Sequence, residues 1–191
     1  MKIITLKDDT NLIFDGSEDI LLLGFNAKNS SVVLNINNGD EVNVYGLFIL
    51  NNKDSITLKT HSNHLSKNSK SRVHIKAVLG GESILNYEGM INIEENSSQS
   101  DAYLQNENLV LSDDCVVNSS PQLEIKNNLV KASHGVSTST VNISQLEYLM
   151  SRGMNQKDAT LLIVNGFVED IASMLPEEMY EQIQKRLSNF F

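Results

Sequence analysis

The chain carries four histidines and one cysteine, the side chains best suited to ligating a transition metal or exchanging protons near neutral pH. His134 stands in Ala132-Ser133-His134-Gly135, a run of small, polar and permissive residues after a strand-like stretch. That context suggests an imidazole exposed on a turn. The same run also fits a histidine that caps the strand and hydrogen-bonds the backbone. His61 and His64 are three apart and would share a face only on a helix. Their flanks are strand-like, and no nearby carboxylate or thiol completes a ligand set, so they read as solvated or capping histidines in a polar loop. His74 alternates with Val73 and Ile75 and should face solvent or a groove. Cys115 precedes Val116-Val117 and reads as a small apolar residue more readily than as a reactive thiol. A single thiol excludes an internal disulfide framework and a cysteine-only metal site. Asp113 and Asp114 are adjacent, so on a strand they point to opposite faces and make a poor acid–base pair.

The elements that position these groups change character along the chain. To about residue 120, short apolar runs such as Val32–Ile36, Val42–Tyr45, Ile56–Leu58 and Val73–Leu79 alternate with Asn, Asp, Gly and Ser punctuation. This is strand–turn–strand chemistry. It fits a sandwich, a barrel or a solenoid. The abundant asparagine favours a parallel β-helix, whose repeated corners need left-handed backbone tolerance and whose stacked asparagines can ladder. Asn106 and Asp113 suit such corners. Leu123 and Ile125 alternate with Glu124 and Lys126, Asn127-Asn128 marks a turn, and Val141–Ile143 gives one last strand. Helices then take over. Ser144 with Glu147 forms a capping box, and Arg152-Gly153 stops the first helix. Asn155 caps a second, striped by Ala159, Leu162, Ile163, Gly166, Phe167, Ile171 and Met174, with Leu161, Val164 and Val168 on its other side. Pro176 opens a third, striped by Met179, Tyr180, Ile183, Leu187 and Phe190. The expected division is a β-helix core over 1–143 and a helical subdomain over 144–191. The helices would cap the open end of the coil, and their surplus apolar surface, with Phe190-Phe191, would also dock another protein.

A length of 191 residues with 40% hydrophobic content suits one folded domain with a small appendage. A net charge of −9 argues against a nucleic-acid binder. No run approaches the length of a membrane span, and Met1–Thr10 lacks the apolar stretch of a signal peptide, so a cytoplasmic protein is expected. A polysaccharide-active β-helix enzyme is disfavoured: there is no Trp, aromatics make up 6% and no paired carboxylates stand out.

Three motifs, taken in order, carry a resemblance: Pro121-Gln-Leu-Glu-Ile125, Val130-Lys-Ala-Ser-His-Gly135, and Gln145-Leu-Glu-Tyr-Leu with Ser151-Arg-Gly153. With Asp101-Ala102 through Asn106 and Leu109–Asp113, they resemble the C-terminal core of the SufB/SufD family, scaffolds of the SUF iron–sulfur cluster assembly machinery. The Ser-His-Gly form is closer to SufD. The resemblance covers about residues 55–175 and implies a right-handed parallel β-helix with a C-terminal α-helical cap, acting as a non-catalytic scaffold. It implies pairing with a SufB-like subunit or a second copy, and a transient iron–sulfur cluster shared with that partner. His134 matches the histidine near the subunit interface. The resemblance also implies docking of a SufC-type ATPase on the helices, where Tyr148, Arg152, Gly153 and Phe167 lie. Family members are commonly about twice as long and carry an N-terminal helical region, and the SufB-like cysteine motif is replaced here by Ala132–Gly135. A structural or self-assembling β-helix without cluster chemistry is the alternative.

Overall fold

The computed structural model describes residues 1–190, and its strands fall into two parallel sheets that share every turn of the chain. The odd-numbered strands β1 (Lys2–Thr5), β3 (Glu18–Gly24), β5 (Glu41–Leu50), β7 (Lys70–Leu79), β9 (Asp101–Val110) and β11 (Lys131–Thr140) pair in that order. The even-numbered strands β2 (Asn11–Asp15), β4 (Ala27–Ile36), β6 (Ser55–His64), β8 (Ile84–Ile93) and β10 (Val116–Ile125) form the facing sheet. Consecutive strands thus alternate between sheets, and each coil lies in register on the coil before it. This is the expected parallel β-helix.

Register stacks like on like. Ile20, Val44, Val73 and Leu104 form one inward column of the odd sheet. Phe14, Leu34, Ser62 and Ile91 form one in the even sheet. All but Phe14, itself 6% exposed, are essentially inaccessible to solvent, and their burial supplies the main driving force for coiling. Asn52 and Asn68 hold left-handed corners, as the asparagine content leads one to expect, and Asn29 takes the same backbone conformation at a bulge within β4. Asparagines also ladder between coils: Asn63 donates to Asn35 at 3.2 Å and Asn35 to Asp15 at 2.9 Å. At one corner Gly81 (φ 63°) lies so close over Asn52 that a Cβ would meet backbone nitrogen at 2.7 Å.

Helices α1 (Ile143–Ser151), α2 (Gln156–Ala172) and α3 (Glu177–Ser188) follow. They do not close the end of the coil. Parts of β3, β5, β7 and β9 are apolar on both faces, and their outward residues Leu21, Leu23, Leu47, Ile49, Val78 and Leu109 need cover of their own. Val164, Val168, Ile171 and Ala172 of α2 and Ile183 and Leu187 of α3 provide it. The helices therefore lie along the flank of the odd sheet and leave the last coil open.

Several local expectations shift. The last strand is β11, not Val141–Ile143, and Asn142 caps α1 by accepting from the Gln145 N–H at 3.1 Å. Helix α2 buries Ala159, Thr160, Val164, Val168, Ile171 and Ala172, while Leu162 and Met174 of the expected stripe are exposed, because the helix is apolar on nearly every side. Asn155 caps α2, and the α3 stripe is as expected. Phe190 is not free docking surface: it packs where Gly80, at the end of β7, leaves room for its ring. Phe191 lies outside the described residues. The stretch 60–64 is the end of strand β6, not a loop, and Asn106 lies within β9, not at a corner.

Candidate functional site

His134 sits in the middle of β11, not on a turn, and its register partner is Leu104. It therefore extends the inward column of Ile20, Val44, Val73 and Leu104. Those residues are buried because another coil covers them; His134 is exposed because none does. Apolar residues share the open end with it. Leu123 and Ile125 of β10 and Val136 of β11 continue inward columns, yet are 36%, 45% and 42% exposed. Leu129, in the corner between the two strands, is 72% exposed.

Beneath this end lies a polar layer. Asn106 and Asn108 of β9 are fully buried and exchange amide hydrogen bonds at 2.9 and 3.1 Å. Ser119 donates to Asn106 Oδ1 at 2.7 Å, and the Asn108 amide reaches Thr138 Oγ1 at 3.3 Å. The two strands of the last coil are thus tied to the coil below by side chains as well as by the backbone.

Cys115 is half-buried at the corner before β10, with Sγ 3.5 Å from the Gly81 carbonyl oxygen and 3.7 Å from Ser83 Oγ. It opens onto a small groove shared with Asp113 and Thr138–Thr140. Thr138 is four residues along β11 from His134, about 13 Å at the usual strand rise, so the fold does not unite thiol and imidazole. His61 and His64 point to opposite faces of β6, as their odd spacing on a strand requires. His64 is buried, with Nδ1 2.8 Å from Ser69 Oγ and Nε2 2.8 Å from Ser71 Oγ. His74 faces outward, its Nε2 2.7 Å from Glu107. Among the described residues no three His, Cys, Asp or Glu side chains converge on a metal-sized site.

A second feature lies where β11 runs into the helices. An open groove of about 890 Å³ is lined by Leu109 and Thr140 from the sheet, Tyr148 and Leu149 from α1, and Ile163 and Phe167 from α2. Tyr148 is 58% exposed, and the Arg152 guanidinium lies 5.3 Å from its ring centre. Gly153, with φ 96°, ends α1 as a glycine stop, its N–H bonded to the Met150 carbonyl at 3.0 Å. Tyr148 and Phe167 thus share the groove, Arg152 borders it, and Gly153 shapes the turn behind it. Helix α1 buries none of its residues, and Ile143 and Leu162 add exposed apolar surface nearby.

Sequence reasoning missed a charged cluster behind Phe167. Lys76 is 8% exposed, and its Nζ lies 2.8 Å from both Asp170 carboxylate oxygens and from the Phe167 carbonyl oxygen. The signal was partial: Lys76 stands outward beside Val78, but Arg72 and His74 on the same face mark that row as solvated.

The chain's matches to known proteins agree with this architecture. Residues 21–167 match the family model described as "SUF system FeS cluster assembly, SufBD core domain". An iron–sulfur cluster assembly SufBD family protein of Synechocystis is 30% identical over 144 residues, 75% of this chain and 30% of that protein. A SufBD family protein of Galdieria sulphuraria is 29% identical over 150 residues, 78% of this chain and 68% of the relative. The iron–sulfur cluster assembly protein SufD of Escherichia coli is 32% identical over 112 residues, 59% of this chain and 26% of SufD. The aligned stretch thus spans less than a third of the Synechocystis and Escherichia coli proteins. No helix among the described residues is long and apolar enough to cross a membrane. With the family model covering most of its length, from the third strand to the second helix, this chain belongs to the SufBD core family of the SUF iron–sulfur cluster assembly system.

Proposed function

We propose that this chain is a SufD-like scaffold subunit of the SUF assembly complex. The observation that carries the proposal is the uncovered last coil, an in-register β-helix end that presents His134 among exposed apolar residues. A SufB-like subunit, or a second copy, seats on that end and buries Leu123, Ile125 and Val136. His134 supplies one imidazole to a cluster under assembly, and the partner supplies the thiolates that this chain lacks. The cluster is cargo passed on after assembly. A SufC-type ATPase docks on the α1–α2 groove through Tyr148, Arg152 and Phe167, with Gly153 fixing the turn that presents them. Hydrolysis takes place on that partner, and the present chain is not itself an enzyme. The core over 1–143 then serves pairing, and the helical subdomain over 144–191 serves docking.

The test is to co-express the chain with its SUF ATPase and a SufB-like subunit, purify the assembly and reconstitute it anaerobically with iron and sulfide. His134→Ala should leave the complex intact and lower bound iron and visible absorbance several-fold, since loss of a ligand or its support commonly costs about 10-fold or more in metal affinity. A normal cluster in the variant would make His134 structural and move the ligands to the partner. A folded chain that forms no complex would favour the second reading, a structural or self-assembling β-helix whose open apolar end stacks on another copy without cluster chemistry.

A further inference from the structure

Among the described residues, the core of the contact between α2 and the odd sheet is apolar, and Lys76 reaches across beside it. Val164, Val168, Ile171 and Ala172 meet Leu47, Ile49, Val78 and Leu109. Such burial is strong but non-directional, so on its own it lets a helix roll or slide along the sheet at small cost. Lys76 is directional. Its ammonium lies 2.8 Å from Asp170 Oδ1, 2.8 Å from Asp170 Oδ2 and 2.8 Å from the Phe167 carbonyl oxygen, acceptors that sit within one turn of α2. On the sheet side, Glu107 lies 3.7 Å from the same nitrogen and receives His74 Nε2 at 2.7 Å. The Phe167 ring centre is 5.0 Å from the ammonium. Any displacement of α2 along or about its axis would pull these acceptors from a nearly inaccessible cation, and a buried charge without partners is heavily penalised.

We propose that Lys76 is a clasp that fixes the roll and register of α2 on the β-helix and thereby positions the Ile163–Phe167 wall of the α1–α2 groove. Apolar packing holds the helix to the sheet; the clasp decides where on the sheet it rests. Glu107 pairs in register with Ser137 of β11, so the clasp also ties the groove wall to the strand beneath the one that carries His134. Lys76 is a positioning residue, and its role holds whatever occupies the groove.

The test uses the full chain alone, so it does not depend on the docking reading. Lys76→Met keeps the aliphatic stem and removes the donors. Asp170→Asn, at a half-exposed position, keeps the fold and weakens the same contact from the helix side. Hydrogen exchange is followed by mass spectrometry, and nuclear Overhauser contacts between α2 and β9 by NMR. Expected are about ten-fold faster exchange over residues 163–175 in Lys76→Met, a smaller increase at the same residues in Asp170→Asn, and an altered set of Phe167–Leu109 contacts. Amides of β5 and β6 should be unchanged. Wild-type α2 exchange and contacts in both variants would overturn the clasp, as would a uniform acceleration of sheet and helix in Asp170→Asn, which would mark Lys76 as general stabilisation only.

Discussion

At the scale of single residues, the least typical group is His64. Burial pushes its imidazole down from the ordinary 6.5 to about 4; the Asp101 carboxylate opposes the shift and Arg72 adds to it. The unfolded chain therefore takes up a proton that the folded chain refuses, in the window between about pH 6.5 and 4. The stabilisation from neutral His64 is complete above that window and is lost as the pH falls through it, on the order of 3 kcal/mol in all. Urea unfolding at a series of pH values should show this slope, and His64→Gln should flatten it relative to wild type; an identical slope in the variant would remove His64 as its origin. The same residue shows why this strand has a loop-like sequence. Thr60, Ser62 and His64 occupy inward positions of β6, where the binary pattern demands apolar side chains. The fold tolerates Thr60 because Tyr87 OH stands 2.8 Å away, and His64 because two serines meet it. Asn106 is the same case, a buried amide satisfied by Asn108 and Ser119. Only the Thr60–Tyr87 pair spans neighbouring coils; the partners of His64 and Asn106 lie 2 to 13 residues away, but nothing in their spacing says that the chain turns to bring them together inside the coil.

At the scale of elements, α1 is the weakly held piece. It is nine residues long, below the length at which isolated helices persist, and it buries no side chain. Its N-cap, Asn142, is therefore a large share of what keeps it helical. Asn142→Ala should cost about 1 kcal/mol locally, or roughly five-fold faster amide exchange over 143–151, with the melting temperature of the whole chain nearly unchanged. A drop of several degrees in the global melt would show that α1 is integral to the core. The sequence marks this helix but points to Ser144 as its cap, because two capping candidates stand two residues apart and only the end of β11 at Thr140 decides between them. The buried side of α2 was hidden for a related reason: with apolar residues nearly all round, periodicity selects no face, and the choice falls to the outward rows of β5, β7 and β9.

At the scale of the whole molecule, the open coil end makes a sharp forecast for assembly. Val136→Asp places a charge on a residue already 42% exposed, so the isolated chain should lose less than about 1 kcal/mol of stability. In a paired assembly the same charge would be buried without a partner, and sedimentation velocity should show association lost. Retained association would move the interface elsewhere. The β-helix itself was legible from its asparagine and glycine corners, but the coil number was not. One coil takes 20 residues, Asn11 to Ser31, and another 32, Ile84 to Val116, too uneven for a repeat to stand out. The flank position of the helices bears on how the chain is made. Each coil can settle on its predecessor as it leaves the ribosome, but Leu21, Leu23, Leu47 and Ile49 stay bare until residues near 164–187 arrive. More than a hundred residues separate Ile49 from Val164, roughly 5–20 s of synthesis at ordinary rates. For that interval the newborn protein carries an oily stripe on a finished coil, and a chaperone that shields it would be needed during translation and not afterwards.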